Sequence, residues 1–114
     1  MALTIASREL DGVTILDLSG RITLGEGSVQ LRDAIRDLIG KGTKNILLNL
    51  GDVNYIDSSW LGELVSAFTT AKNQGVALKL LKLTKKVHDL LQLTKLYTVF
   101  DIYDDEASAI ASYK

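Results

Sequence analysis

The sequence predicts an α/β fold, with helices packed on a mixed, largely parallel central sheet in the order ββαβαβαβα. Two strand-like segments are joined by Asp11-Gly12, a dipeptide typical of a β-hairpin turn. Short apolar runs then alternate with segments of helical periodicity, which predicts parallel strands linked by right-handed crossovers. The chain has 114 residues, of which 46% are hydrophobic. That is enough for one core, so we expect a single domain over residues 1–114.

The two predicted strands of the hairpin differ in pattern. Residues 3–9 have a loose period of two, whereas residues 13–19 are richer in β-branched side chains. A glycine-rich loop is predicted over 24–28. A helix follows it, because apolar residues recur there at helical spacing, and we expect Gly40 to end that helix. Its apolar positions are Leu31, Ile35, Leu38 and Ile39.

The remainder of the chain alternates strands with helices, each bounded by glycine or by polar turn residues. The next predictions are a buried strand over 45–50 that breaks at 51–54, and a helix that ends at Gly75 and buries Leu61, Leu64, Val65 and Phe68. After these we predict a strand over 76–80, a helix over 84–94, a strand over 99–102, and a last helix capped by Asp104 or Asp105 that carries Ala107, Ile110 and Ala111.

The composition excludes several classes of function. A formal net charge of -1 gives no electrostatic reason to expect a nucleic acid partner. The absence of cysteine rules out a disulfide, a thiolate nucleophile and a cysteine-based metal site. No apolar stretch approaches the roughly 20 residues of a membrane helix, and the N-terminus does not resemble a signal peptide. We therefore expect a cytoplasmic protein with no membrane insertion, metal or cofactor.

Residues 54–62, with the sequence Asn-Tyr-Ile-Asp-Ser-Ser-Trp-Leu-Gly, form the most informative segment. They join a predicted buried strand to a predicted helix, so they lie at the carboxyl end of a strand, where open α/β sheets usually place their sites. Asp57 or Ser58 is suited to cap the helix, because its side-chain oxygen can accept a hydrogen bond from a free backbone N–H. Capping alone is one interpretation of this segment.

Phosphorylation of a serine in this segment is the alternative interpretation. A phosphoserine carries about −1.5 to −2 charges. The free N–H groups and the positive dipole end of a helix favour an anion by about 0.3–1 kcal/mol, so the fold would tolerate a phosphate there. A partner with an apolar or acidic surface over the same helix end would not tolerate it. The local charge would then act as a binding switch.

The motif Tyr-Ile-Asp-Ser-Ser-x-Leu-Gly at 55–62, preceded by the strand over 45–50, resembles the signature of the STAS domain, the family of bacterial anti-sigma factor antagonists. The predicted element order resembles that fold along essentially the whole chain. Arg21 and the loop after it correspond to the family's variable turn after the hairpin. The chain departs from the family at Trp60, where glycine is usual, and in the loop over 22–28, which lacks the acidic residue that is usual after the hairpin.

The resemblance implies a protein that switches partners and is not an enzyme. Ser58 would be the phosphoacceptor, and Asp57 would orient it for the kinase. The partner would be an anti-sigma factor that is also a serine kinase; the unphosphorylated chain would bind it and release the sigma factor. A serine phosphatase would reset the system. The contact surface would consist of Asp57, Ser58, Ser59, Trp60, Gly62 and Arg21.

Two points stay open at this stage. Related STAS proteins are subunits of signalling assemblies or regulate membrane transporters, so a scaffold that is never phosphorylated is an alternative. Trp60 is predicted to be exposed, because it lies in the first helical turn beside Ser59 and ahead of the apolar series that begins at Leu61. An exposed indole would be an aromatic anchor for the partner. A core position for Trp60 is the alternative.

Other classes of function lack the residues that they need. A receiver domain phosphorylated at Asp57 requires an acidic pair after the first strand and a lysine on the last strand. A serine hydrolase using Ser58 or Ser59 requires a base, but His88, the only histidine, is predicted in mid-helix. One histidine with scattered carboxylates does not make a metal site. Gly25-x-Gly27 is too short for a nucleotide fingerprint, and Lys82, Lys85 and Lys86 are typical of a solvated surface.

Overall fold

The computed structural model of the chain describes residues 3–22, 26–56, 60–95 and 98–114, and for residues 26–28 it describes the backbone alone. The described residues form nine elements in the predicted order, which confirms the fold class. The strands are β1 (Leu3–Leu10), β2 (Val13–Ile22), β3 (Asn45–Ile56), β4 (Ala77–Leu81) and β5 (Ile102–Tyr103). The helices are α1 (Glu26–Gly40), α2 (Trp60–Asn73), α3 (Lys85–Leu93) and α4 (Glu106–Ala111).

The five strands lie side by side in chain order. β1 and β2 are antiparallel and the other neighbouring pairs are parallel, as a hairpin followed by strand–helix crossovers requires. The hairpin turn has positive φ at both central residues, 52° at Asp11 and 79° at Gly12. Asp and Gly tolerate this conformation, which suits the twist of the paired strands.

Helices cover the two faces of the sheet unequally. Alternate strand residues such as Leu48 and Leu80 pack in a large apolar cluster with residues of α1, α2 and α3. Their strand neighbours Leu47 and Leu81 belong to a smaller cluster that includes Ile110 of α4. Because successive strand residues point to opposite faces, three helices cover one face and α4 lies on the other. We call these the three-helix face and the α4 face.

β3 is longer than predicted, and the prediction that it breaks at 51–54 is wrong. Two register shifts in its pairing with β2 each add one residue to β3, so the strand bulges and continues to Ile56. The Asn49 side chain accepts a hydrogen bond from the backbone N–H of Gly51 at 3.1 Å, and Val53 returns to the core. The polar residues that suggested a turn therefore mark bulges inside a strand.

Smaller differences lie at other element ends. α1 begins at Glu26, inside the loop predicted over 24–28. The last strand is Ile102–Tyr103 and not 99–102; Val99 lies in an exposed turn, because only the later pair aligns with Leu80 and Leu81 of β4. Asp105, and not Asp104, caps α4 by accepting from the Ser108 N–H. α4 buries Ala109 and Ile110, whereas Ala107 and Ala111 are exposed.

Candidate functional site

The predicted motif lies where β2 and β3 end together. Ile22 and Ile56 are the last paired residues of these parallel strands, and both belong to the core. α2 begins four residues after Ile56, at Trp60. Asp57, Ser58 and Ser59 lie outside the described residues, so their predicted roles as cap, phosphoacceptor and contact surface stay predictions.

Trp60 is buried, and the prediction of an exposed indole is wrong. Its exposed fraction is 1%, and it belongs to the same cluster as Leu64, one helical turn further along α2, and Ile35 of α1. The apolar series of α2 therefore begins at Trp60 itself and not at Leu61. Trp60 therefore cannot serve as an aromatic anchor for a partner.

Gly62 lies in the first turn of α2 and is exposed. A Cβ atom built on it would meet no described heavy atom within 4 Å beyond its own helix and chain neighbours. Packing of the described residues thus does not require glycine at this position. The exposure of Gly62 is compatible with its predicted place in a contact surface.

Arg21 lies in β2, and not in a turn after the hairpin as the resemblance implied. It pairs across the strands with Tyr55, and both side chains are exposed. The guanidinium carbon of Arg21 stands 4.7 Å from the centre of the Tyr55 ring, which is cation–π geometry. Since Ile22 and Ile56 beside them point into the three-helix core, Arg21 and Tyr55 point to the α4 face.

Side chains on the α4 face change from apolar to polar along β2 and β3. Ile15 and Leu47 are paired and lie in the cluster with α4. The following pairs are polar, and we call the set that they form the polar stripe. It consists of Asp17 with Asn49, Ser19 with Asp52, and Arg21 with Tyr55. The polar stripe runs from the edge of α4 to the strand ends that carry the motif.

The start of the polar stripe is tied to α4 by Arg8 of β1. The Arg8 guanidinium donates to Asp17 at 2.6 Å and also to Glu106, the first residue of α4. Asn49 donates to the same Asp17 carboxylate at 2.8 Å. Hydrogen bonding from Arg8 lowers the pKa of both Asp17 and Glu106 below their ordinary values. This cluster joins three elements, which is a structural role.

The remaining candidates within the described part of the chain form no catalytic arrangement. His88 is half-buried on α3, with its Nδ1 3.8 Å from the Asp89 carboxylate. Across residues 3–22, 26–56, 60–95 and 98–114, no group of three or more His, Asp or Glu side chains is placed to hold a metal ion. Lys82, Lys85 and Lys86 are exposed. Within the same ranges, every helix is too short or too polar to cross a membrane.

Tyr55 is the residue at this site that the sequence prediction missed as an interaction group. The sequence predicts a strand that stops at residue 50, so it places Tyr55 in the motif alone. Continuation of β3 as a bulged strand pairs Tyr55 with Arg21. The available signal was local: Arg21-Ile22 and Tyr55-Ile56 are both polar–apolar steps, which puts the first member of each on the same face of a parallel pair.

Comparisons with known proteins agree with this architecture. Residues 4–109 match the STAS domain family. An anti-sigma F factor antagonist from Paenibacillus polymyxa is 28% identical over 96% of this chain and 94% of its own. An anti-sigma-B factor antagonist from Bacillus subtilis is 33% identical over 76% of this chain and 78% of its own. A Thermotoga maritima crystal structure described as an anti-sigma factor antagonist has a TM-score of 0.86 at 28% identity, covering 95% of this chain and 92% of that one.

Proposed function

Because this chain belongs to the STAS domain family, we propose that it is a cytoplasmic protein-binding module controlled by phosphorylation. Its unphosphorylated form binds an anti-sigma factor that is also a serine kinase, and so releases a sigma factor for transcription. Phosphorylation of Ser58 ends that binding, and a serine phosphatase restores it. The names of the relatives, which are antagonists of anti-sigma factors, support a regulatory protein and not an enzyme.

The anchoring of both ends of the motif is the observation that most supports this proposal. Ile56 before it and Trp60 after it have exposed fractions of only 9% and 1%. The three residues between them thus start and finish at fixed points of the core, at the carboxyl edge of the sheet and at the beginning of α2. The residues that flank the motif are therefore ordered in the free chain, so a partner that recognises this end of the sheet loses little free energy in ordering them.

The start of α2 also explains how a phosphate can change binding without unfolding the chain. α2 has 14 residues, and its free N–H groups favour an anion close to its first turn. A partner that covers the same place would have to desolvate or oppose the added charge, which can cost several kcal/mol. The phosphate therefore acts on the complex more than on the fold.

The site of phosphorylation tests the proposal. We expect an anti-sigma factor kinase from the source organism to transfer one phosphate from ATP to Ser58, located by peptide mapping with mass spectrometry. Ser58→Ala should abolish the transfer, and the matched variant Ser59→Ala should keep it. Phosphate on Ser59 instead would refute the assignment. A chain that binds the kinase but takes no phosphate would be the scaffold.

A further inference from the structure

We propose that Arg21, positioned by Tyr55, selects partners that present a carboxylate at their contact surface. This inference rests on the proposed function, since it concerns the partner recognised beside the motif. In this proposal the last pair of the polar stripe anchors the partner. Trp60 is buried and cannot do so.

The position of the pair is fixed by the sheet. Arg21 and Tyr55 occupy the last register position but one of β2 and β3, directly before the core pair of Ile22 and Ile56. Both side chains are exposed, and 38% of Tyr55 is accessible. The pair therefore stands on rigid strands, at the same end of the sheet as the motif.

The charge of Arg21 is not neutralised within the part of the chain that the structure describes. Arg8 pairs with Asp17 and Glu106, and Arg32 has Asp33 at 3.8 Å. Arg21, in contrast, makes no ion pair with any described residue, and its guanidinium lies over the Tyr55 ring. A cation–π contact leaves the guanidinium N–H donors available, because the ring attracts the charge without accepting a conventional hydrogen bond.

These features identify the chemistry of the occupant. A guanidinium presents its N–H groups in a planar fork that binds a carboxylate by two parallel hydrogen bonds. The ring beside it restricts the Arg21 side chain in the free protein, so less rotamer freedom is lost when the partner binds. Arginine and tyrosine are also the residue types that dominate interface energy most often. We therefore assign an aspartate or glutamate of the partner to Arg21.

The test measures binding to each anti-sigma factor encoded in the source genome, purified and immobilised. For a factor that binds the wild-type chain, Arg21→Glu should weaken binding at least tenfold, and Tyr55→Leu should weaken it less. The matched control is Lys44→Glu, which makes the same change of charge at an exposed position at the other end of β3 and should bind as the wild type does. Melting curves should be unchanged for all three variants, because none of the altered side chains is buried.

A second arm identifies the group on the partner. Each acidic residue of the bound factor is replaced by arginine, and we expect one replacement to restore at least half of the binding lost in Arg21→Glu. Arg21→Glu that binds as tightly as wild type would overturn the inference, and so would equal losses in Arg21→Glu and Lys44→Glu. Phosphorylated wild-type chain is included as a reference. If its binding is weak while Arg21→Glu binds fully, only this inference fails; if phosphate leaves binding unchanged, the proposed function fails.

Discussion

The two halves of the α4 face are formed by the same strands, but one half is buried and the other is exposed. Under α4, Ile15 and Leu47 are buried, and the C-terminal residues close over them: the Tyr113 hydroxyl donates to the Ile46 carbonyl oxygen. Toward the motif, Arg21 and Tyr55 are exposed, and their side chains contact each other. Over the 10 residues of β2, this face thus changes from side chains that pack within the chain to side chains that are exposed.

This contrast separates the part of the sheet that supports the fold from the part available to other molecules. The covered half buries its apolar groups and pairs its polar ones within the chain, through Arg8 and through Lys79. The Lys79 ammonium donates to Ser112 and lies 4.6 Å from the centre of the Tyr113 ring. The side chains of the exposed half bury little apolar surface, so they can serve recognition with little effect on the stability of the fold. Variants in the two halves should therefore differ in what they change.

Trp60→Ala should have the largest effect on stability, because it empties a core position at the motif itself. Because Trp60 lies in the core, its removal should lower the free energy of unfolding by about 3–5 kcal/mol. The single tryptophan should also emit in the blue and resist quenching by iodide. Red-shifted, easily quenched emission with an unchanged melting temperature would show that the indole is exposed.

Arg8→Ala should have the next largest effect, because it removes the link between the polar stripe and α4. Side chains of this network are about one-third exposed or more, so we expect a loss of about 1 kcal/mol in chemical denaturation at neutral pH. Arg36→Ala, on the other face of the sheet, is the matched control and should change little. Equal stability of the two variants would mean that the network does not hold α4.

The contribution of Arg8 should also depend on pH. The folded-state pKa values of Asp17 and Glu106 are lowered, so their stabilisation is fully present above the unfolded-state values and is lost as pH falls through the folded-state values. The difference in melting temperature between wild type and Arg8→Ala should therefore shrink as pH falls below about 4. A difference that stays constant down to pH of about 2 would contradict this account.

Tyr113→Phe should affect stability no more than Arg8→Ala does. It removes the hydrogen bond to Ile46 and keeps the ring beside Lys79, so we expect a loss of about 1 kcal/mol. Burial raises the pKa of Tyr113, so its hydroxyl should stay protonated to higher pH than that of an exposed tyrosine in an absorbance titration. Tyr103→Phe is the control. An equal loss of stability in that variant would mean that the loss in Tyr113→Phe does not come from the hydrogen bond to Ile46.

The sequence predicted the fold well because the fold depends on local signals. The Asp11-Gly12 turn and the alternation of apolar runs with helical periodicity are visible without tertiary contacts. The prediction went wrong where tertiary packing decides between local options. Asn49 and Gly51 have turn chemistry, yet in the structure they form a bulge because Val53 and Ile56 gain burial further on. Trp60 can face either way in a first helical turn, and contact with α1 decides its direction.

The affinity of one anti-sigma factor for the chain before and after phosphorylation decides whether Ser58 is a binding switch. Both forms are titrated into the same factor by calorimetry, and Ser58→Asp serves as a stable mimic of the charge. We predict that the phosphate and the aspartate each weaken binding at least a hundredfold, while the free energy of unfolding changes by no more than about 1 kcal/mol. Equal affinity of the two forms, or a phosphorylated chain that melts far below the unmodified one, would contradict a switch that acts on the partner and spares the fold.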